Sequence, residues 1–258
     1  MIKLALILFL LVFPQQQEYQ YKHNRPTKQG IDYYVRVNKY KIQKELEDFL
    51  KDTIFLDVEI STDDISEYVG NDSLDMAYHF TYKDGGDEII LDNRERYIAY
   101  DINDLSKLKR FTLSTYNRFV KTALIHELVH TYFLQKIIKA KYDSIGVYKE
   151  YDYKQMMTIR MFPNIEEDYG ASFIEEGVCQ YVVQQMKQEI LHKTPIPENV
   201  SDLVGSNTNN IKYNYSVEYL RKFLDYYGVS KGIEILIKNR PPIYTEILSP
   251  QLFFNRLN

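Results

Sequence analysis

The stretch Ala123-Leu124-Ile125-His126-Glu127-Leu128-Val129-His130 decides how this chain is read. It lies inside a run from Thr115 to Lys139 that holds no glycine or proline, and it is apolar nearly all round, the pattern of a helix buried in a protein interior. On such a helix, residues four apart project about 40° from one another, so His126 and His130 can turn both imidazoles toward one metal ion. Glu127, displaced by about 100°, can reach a water held on that ion. A buried Glu between two histidines on an apolar helix would otherwise be an uncompensated cost. The spacing predicts a metal site with a catalytic base beside it.

A catalytic zinc needs a third protein ligand and one open position for water. The extended motif, with a further histidine six residues on, fails because Phe133 stands where a glycine is needed and Lys136 where the histidine would be. A carboxylate on a separate helix is the next candidate. Phe173-Ile174-Glu175-Glu176-Gly177-Val178-Cys179-Gln180-Tyr181 supplies one, with Glu175, Glu166, Glu167 and Asp168 open as alternatives to Glu176.

His126-Glu127-x-x-His130, followed by Glu176-Gly177 and then Tyr181, resembles the glutamate-zincin (gluzincin) metallopeptidases. The resemblance covers about Tyr116 to Tyr181 and extends weakly to Tyr215 through Gly228 and the C-terminus. It implies one Zn2+ ion held by His126, His130 and Glu176, with Glu127 as the general base that takes a proton from a metal-activated water as it attacks a peptide bond. It also implies a second oxyanion donor from the helical lobe, Tyr215 first and Tyr213 next. Glu175 is then an acceptor for a ligand histidine, and Gly177 lets its helix come close to the metal helix. The interval from His130 to Glu176 is longer than in the best-known members, so Tyr142 to Asp168 reads as an insertion. His79 and His192 stand outside the pattern. The alternative reading is a non-catalytic or occluded zinc-binding interaction module with the same zincin-like fold.

Composition narrows the rest. A chain of 258 residues, 45% hydrophobic and 14% aromatic, can bury a full core. Its net charge of −4 offers no basic excess for nucleic acid; the peptide or protein substrate expected as partner is what the resemblance implies. The single cysteine, Cys179, excludes an intramolecular disulfide framework and a Cys-rich zinc site. Tyrosine is abundant at 24 residues and tryptophan absent, a compositional bias from which no function is drawn. Lys3 precedes an apolar run from Leu4 to Phe13, the shape of a signal-peptide core and shorter than the about 20 residues a spanning helix needs. Removal between Phe13 and Tyr19 is expected, giving a secreted or periplasmic, cell-envelope protein with no stable membrane insertion afterwards.

The expected fold class is α+β and zincin-like. Residues 1–17 are expected to be a signal peptide or an N-terminal anchor, and 18–258 one two-lobed domain. A small N-terminal sheet lobe with a helix covers about 31–112 and a mainly helical lobe about 113–258, with the active-site helix between them. Periodicity predicts a helix over Tyr40 to Lys51, a strand over Ile54 to Ile60, and a hairpin joining Tyr78–Tyr82 to Glu88–Asp92. Glu88 to Asp92 is expected as an edge strand to which a peptide could add. Helices follow over Lys149 to Met161, Ala171 to His192, Val217 to Tyr227 and Gly232 to Lys238, with another from Tyr244; Thr194 to Asn210 reads as a loop and Gly228 as a helix C-cap.

Overall fold

The computed structural model describes residues 28–54, 58–64, 77–81, 87–92, 113–142, 165–187, 197, 199–204 and 211–257. The expected signal segment, the helix over Lys149 to Met161 and His192 lie outside the described residues. What is described is mostly helical with one small sheet, loosely α+β. In order, the elements are α1 (Lys28–Leu50), β1 (Val58–Asp63), β2 (Ala77–Thr81), β3 (Asp87–Asp92), α2 (Leu113–Tyr142), α3 (Ile165–Lys187) and α4 (Val200–Val204). A π-helical turn, Ile211–Tyr215, then leads into α5 (Ser216–Tyr227), α6 (Val229–Ile237), α7 (Tyr244–Leu248) and α8 (Pro250–Leu257). Among the described residues, no helix is long and apolar enough to cross a membrane.

By contacts the chain divides into two compact units. One comprises Met1–Asn38, Ser61–Tyr78 and Ile90–Ala123, and the other Lys39–Ile60, His79–Ile89 and Leu124–Asn258. Each unit draws on several segments of the chain. In the first, Ile31 and Val35 are buried one helical turn apart on α1, and Thr62 Oγ1 donates to Asp32 Oδ1 at 2.6 Å.

The three strands lie in the order β1-β3-β2, so β3 is the middle strand. This corrects the edge-strand expectation for Glu88 to Asp92. Glu88, Ile89, Ile90 and Leu91 are all buried, and an uninterrupted buried run is what a strand covered on both faces requires. A middle strand has no free ladder for a peptide to join.

In the second unit, α1 continues with Ile42, Leu46 and Leu50 buried at helical spacing and ends at Lys51, whose φ of 54° is left-handed. Asp52, just beyond, anchors a polar network. It accepts from Lys136 Nζ at 2.7 Å and from the Tyr132 hydroxyl at 2.8 Å, while Gln135 Nε2 donates to the Thr53 carbonyl at 2.7 Å. Glu234 adds a second carboxylate to Lys136 at 3.3 Å. Lys136 is only 5% exposed, and the pairing is what allows an ammonium to sit there.

α3 begins with Glu166, Glu167 and Asp168, acidic side chains in a first turn where the helix dipole favours them. Its helix continues six residues ahead of the expected start at Ala171. α5 buries Ser216, Val217, Tyr219, Leu220, Phe223 and Leu224, one stripe of an amphipathic helix. Across from it, α3 contributes the Tyr181 hydroxyl to Asp225 Oδ1 at 2.6 Å and Gln184 Oε1 to Arg221 at 3.0 Å. Gly177 explains how closely the two helices pack. A Cβ there would stand 2.8 Å from Ser216 Cβ and 3.0 Å from the Ser216 carbonyl. The expectation that Gly177 opens room for the metal helix is therefore corrected: its bare face is turned to α5. Gly228, with φ of 74°, separates α5 from α6 and donates to the Leu224 carbonyl at 2.9 Å.

The tyrosines have a structural use. The rings of Tyr215 and Tyr219 pack on Phe173 at 5.9 and 5.2 Å, and their hydroxyls donate to the carbonyls of Ile247 and Glu246. Tyr169 donates likewise to the Leu203 carbonyl. Each combines a large apolar body with a donor that satisfies a buried backbone acceptor. Glu246 locks the C-terminal segment by accepting both Arg240 Nη2 contacts at 2.9 Å, Arg256 Nε at 3.1 Å and the Ile243 amide at 3.0 Å.

Candidate metal centre

α2 is buried on most sides, with Val120, Leu124, Ile125, Leu128, Val129, Tyr132 and Leu134 all but inaccessible. That burial fixes the helix, and the four-residue spacing puts His126 and His130 on one face of it. Their Nε2 atoms are 3.1 Å apart. α3 brings up two consecutive carboxylates. Glu176 Oε2 is 3.2 Å from His126 Nε2, its Oε1 is 3.7 Å from His130 Nε2, and Glu175 Oε1 is 2.8 Å from His130 Nδ1. Ligands on a tetrahedral zinc at about 2.0–2.2 Å stand about 3.3–3.5 Å from one another. The three closest separations around the two Nε2 atoms, 3.1, 3.2 and 3.7 Å, lie on either side of that range.

Glu176 Oε2 is fully buried and finds no hydrogen-bond donor, although His126 Nε2 lies close by. Distance without donor geometry leaves a buried carboxylate oxygen uncompensated, which is costly unless a cation completes the site. Burial opposes its charge, but His126 and His130 hold the Glu176 carboxyl below the usual range. Burial likewise disfavours an imidazolium at His130. Its pKa is nonetheless held well above the ordinary value, and we assign this to the Glu175 carboxylate on Nδ1 rather than to Cys179, since burial pushes that thiol up to about 12 and keeps it neutral.

The outer partners set the tautomers. His130 donates from Nδ1 to Glu175, which directs its other nitrogen to the cluster. Gln180 Nε2 lies 3.2 Å from His126 Nδ1. In that orientation the carboxamide donates to Nδ1 and the proton of His126 sits on Nε2; turned over, it accepts from Nδ1–H and exposes the Nε2 lone pair a metal requires. Gln180 and Cys179 carry no signal in the motifs themselves. What points to them is spacing, each standing one helical turn beyond a carboxylate, Gln180 after Glu176 and Cys179 after Glu175. Cys179 Sγ lies within 4.8 Å of a ring nitrogen of both histidines. Glu176, with oxygens 3.2 Å from His126 Nε2 and 3.7 Å from His130 Nε2, is taken as the third candidate ligand.

Glu127 follows His126 on the helix and remains partly exposed. Tyr215 departs from its expected role. Its hydroxyl is buried, donates to the Ile247 carbonyl at 3.0 Å, and its burial pushes the phenol up to about 12. It is a packing residue here, not a donor awaiting an oxyanion. The side chains of Tyr213 and His79 lie outside what is described. Glu166, Glu167 and Asp168, the alternative ligands, occupy the first turn of α3, two turns or more before Glu176. An apolar cavity of about 140 Å³ lined by Phe133, Ile137, Ile174, Leu236 and Phe253 reaches Glu175.

No protein-family model, curated protein or solved structure matches this chain.

Proposed function

We propose that the chain is a zincin-like, gluzincin-type peptidase that hydrolyses peptide bonds with one zinc ion held by His126, His130 and Glu176. The observation that carries this reading is the 3.1 Å separation of the two Nε2 atoms with a donorless Glu176 oxygen beside them. Two imidazole nitrogens 3.1 Å apart with a carboxylate whose oxygens come within 3.2 and 3.7 Å of them are a donor set that fits zinc's chemistry. When bound, zinc supplies Lewis acidity that acidifies a water and polarises a carbonyl. The chain's own residues do the rest. Glu127 takes the proton from the attacking water and returns it to the leaving amine. Glu175 keeps the His130 ring oriented by accepting from Nδ1, and the Gln180 carboxamide, turned over from its present orientation at His126 Nδ1, would accept from Nδ1–H and leave the His126 Nε2 lone pair for the metal. The substrate class is peptide or protein, encountered outside the cytoplasm if the apolar run Leu4 to Phe13 directs export.

Metal analysis and one substitution test the reading. The purified full chain should carry one zinc, and Glu127→Gln should keep it while casein cleavage falls by about 10²–10⁴-fold. Unchanged cleavage would refute the role of Glu127. A chain that takes up no zinc would end the proposal. A second reading, an occluded zinc-binding module, is favoured by one observation, the approach of Cys179 to both histidines.

A further inference from the structure

The cluster contains one donor more than a peptidase site needs. Cys179 is the chain's single cysteine and is fully buried on α3. Its Sγ lies within 4.8 Å of a ring nitrogen of His126 and of His130. Sulfur at about 2.3 Å and imidazole nitrogen at about 2.0–2.1 Å from one tetrahedral zinc are about 3.6 Å apart, so an adjustment on the order of 1 Å brings all three onto one ion. A separate observation points to a cation at the same place: Glu176 Oε2 is buried there and has no hydrogen-bond donor. Glu175 and Cys179 are one helical turn apart, so the sulfur approaches from the face of α3 that already meets His130.

We propose that Cys179 is a fourth metal ligand in a resting form of the site, in which His126, His130, Glu176 and the Cys179 sulfur close the coordination sphere and hold the enzyme latent. This rests on the metal reading above and adds a means of regulation to it. On closing, the Cys179 S–H bond breaks, its proton goes to solvent, a sulfur–metal bond forms and one water leaves. On opening, the sulfur–metal bond breaks, water returns and the sulfur takes a proton back. No electron is transferred, so no oxidant or reductant is needed. The latent form explains how an open-site ligand set and a closed-site donor count occur in one cluster. Four protein ligands make a structural site, three with water a catalytic one.

Cobalt(II) titration of the metal-stripped full chain tests it by absorbance. The expected result is one cobalt per chain, with a near-ultraviolet sulfur-to-cobalt charge-transfer band that saturates together with the visible bands of a tetrahedral ion. Because the chain has one cysteine, that band in the wild type can come only from Cys179. Cys179→Ser should lose the band, keep the visible ones, and with zinc cleave peptide faster than the wild type. Visible bands without the near-ultraviolet band overturn the proposal and leave the His126, His130 and Glu176 reading standing. A band that persists in Cys179→Ser overturns it as well. Failure to bind cobalt at all removes the metal reading and this proposal with it. If Cys179→Ser does not fold, the wild-type spectrum alone decides.

Discussion

His126 Nε2 and His130 Nε2 stand 3.1 Å apart on one face of α2, and Glu176 Oε2 comes within 3.2 Å of the first. Nothing but helix geometry is needed to bring the imidazoles together. Bringing the carboxylate requires a second helix held at a fixed distance, and that is where the sequence and the packing meet.

The two adjacent carboxylates should separate by function. Glu176→Ala removes a candidate ligand, and zinc affinity measured by competition with a chromophoric chelator should fall further than for Glu175→Ala. The Glu175 variant should lose about 10–100-fold, as expected of a group that acts through His130 Nδ1. The reverse order would show that the ligands had been assigned the wrong way round.

Gly177→Ala should destabilise the chain although alanine is the better helix former by about 1 kcal/mol. The added methyl meets Ser216 Cβ at 2.8 Å and the Ser216 carbonyl at 3.0 Å, neither of which can swing away. Overpacking of this kind costs about 1–3 kcal/mol, read as a lower urea midpoint at unchanged slope. Gly170→Ala should be worse, since its Cβ would fall 1.8 Å from the Pro242 carbonyl oxygen. A raised midpoint in Gly177→Ala would contradict the packing described.

Acid should weaken the network around Asp52. Burial opposes its ionisation, but Lys136 and Tyr132 hold the Asp52 carboxyl down to about 2. A carboxyl depressed in the folded state stabilises it above the unfolded pKa of about 3.9 and loses that contribution as pH falls toward 2. Denaturant midpoints of the wild type should therefore decline over that window, whereas Asp52→Asn should be less stable at neutral pH and show a shallower decline. Parallel acid profiles would refute the linkage.

Tyr215→Phe tests a residue that the resemblance nominates and the packing does not. Removing its hydroxyl strands the buried Ile247 carbonyl, so a stability loss of about 1–3 kcal/mol is expected. Peptide turnover at saturating substrate should remain near the wild-type rate. A drop of 100-fold or more in kcat, with the fold intact, would restore Tyr215 as an oxyanion donor.

Some of this was legible in the chain and some was not. The glycine- and proline-free run around His126 marks α2 to within a few residues at either end, since an all-round apolar helix has few alternatives. The first three turns of α1 were hidden because Tyr33, Val37 and Tyr40 are exposed apolar residues that blur the stripe made by Ile31, Val35 and Ile42. Glu166, Glu167 and Asp168 invited reading as ligands, yet their position in the first turn of α3 is explained by the helix dipole. The run Glu88 to Leu91 lacks alternation, which already argued against an edge strand. That Gly177 faces Ser216 could not be read from either residue, because periodicity gives a helix its faces but does not name what lies against each one.

A solitary, wholly buried thiol also makes the molecule its own clock. Cys179 can meet an alkylating reagent only when α3 breathes away from its neighbours, so the rate of labelling under native conditions counts those openings one event at a time. With no other sulfhydryl to confuse the signal, a single mass shift per chain would time how often the heart of the protein is laid bare.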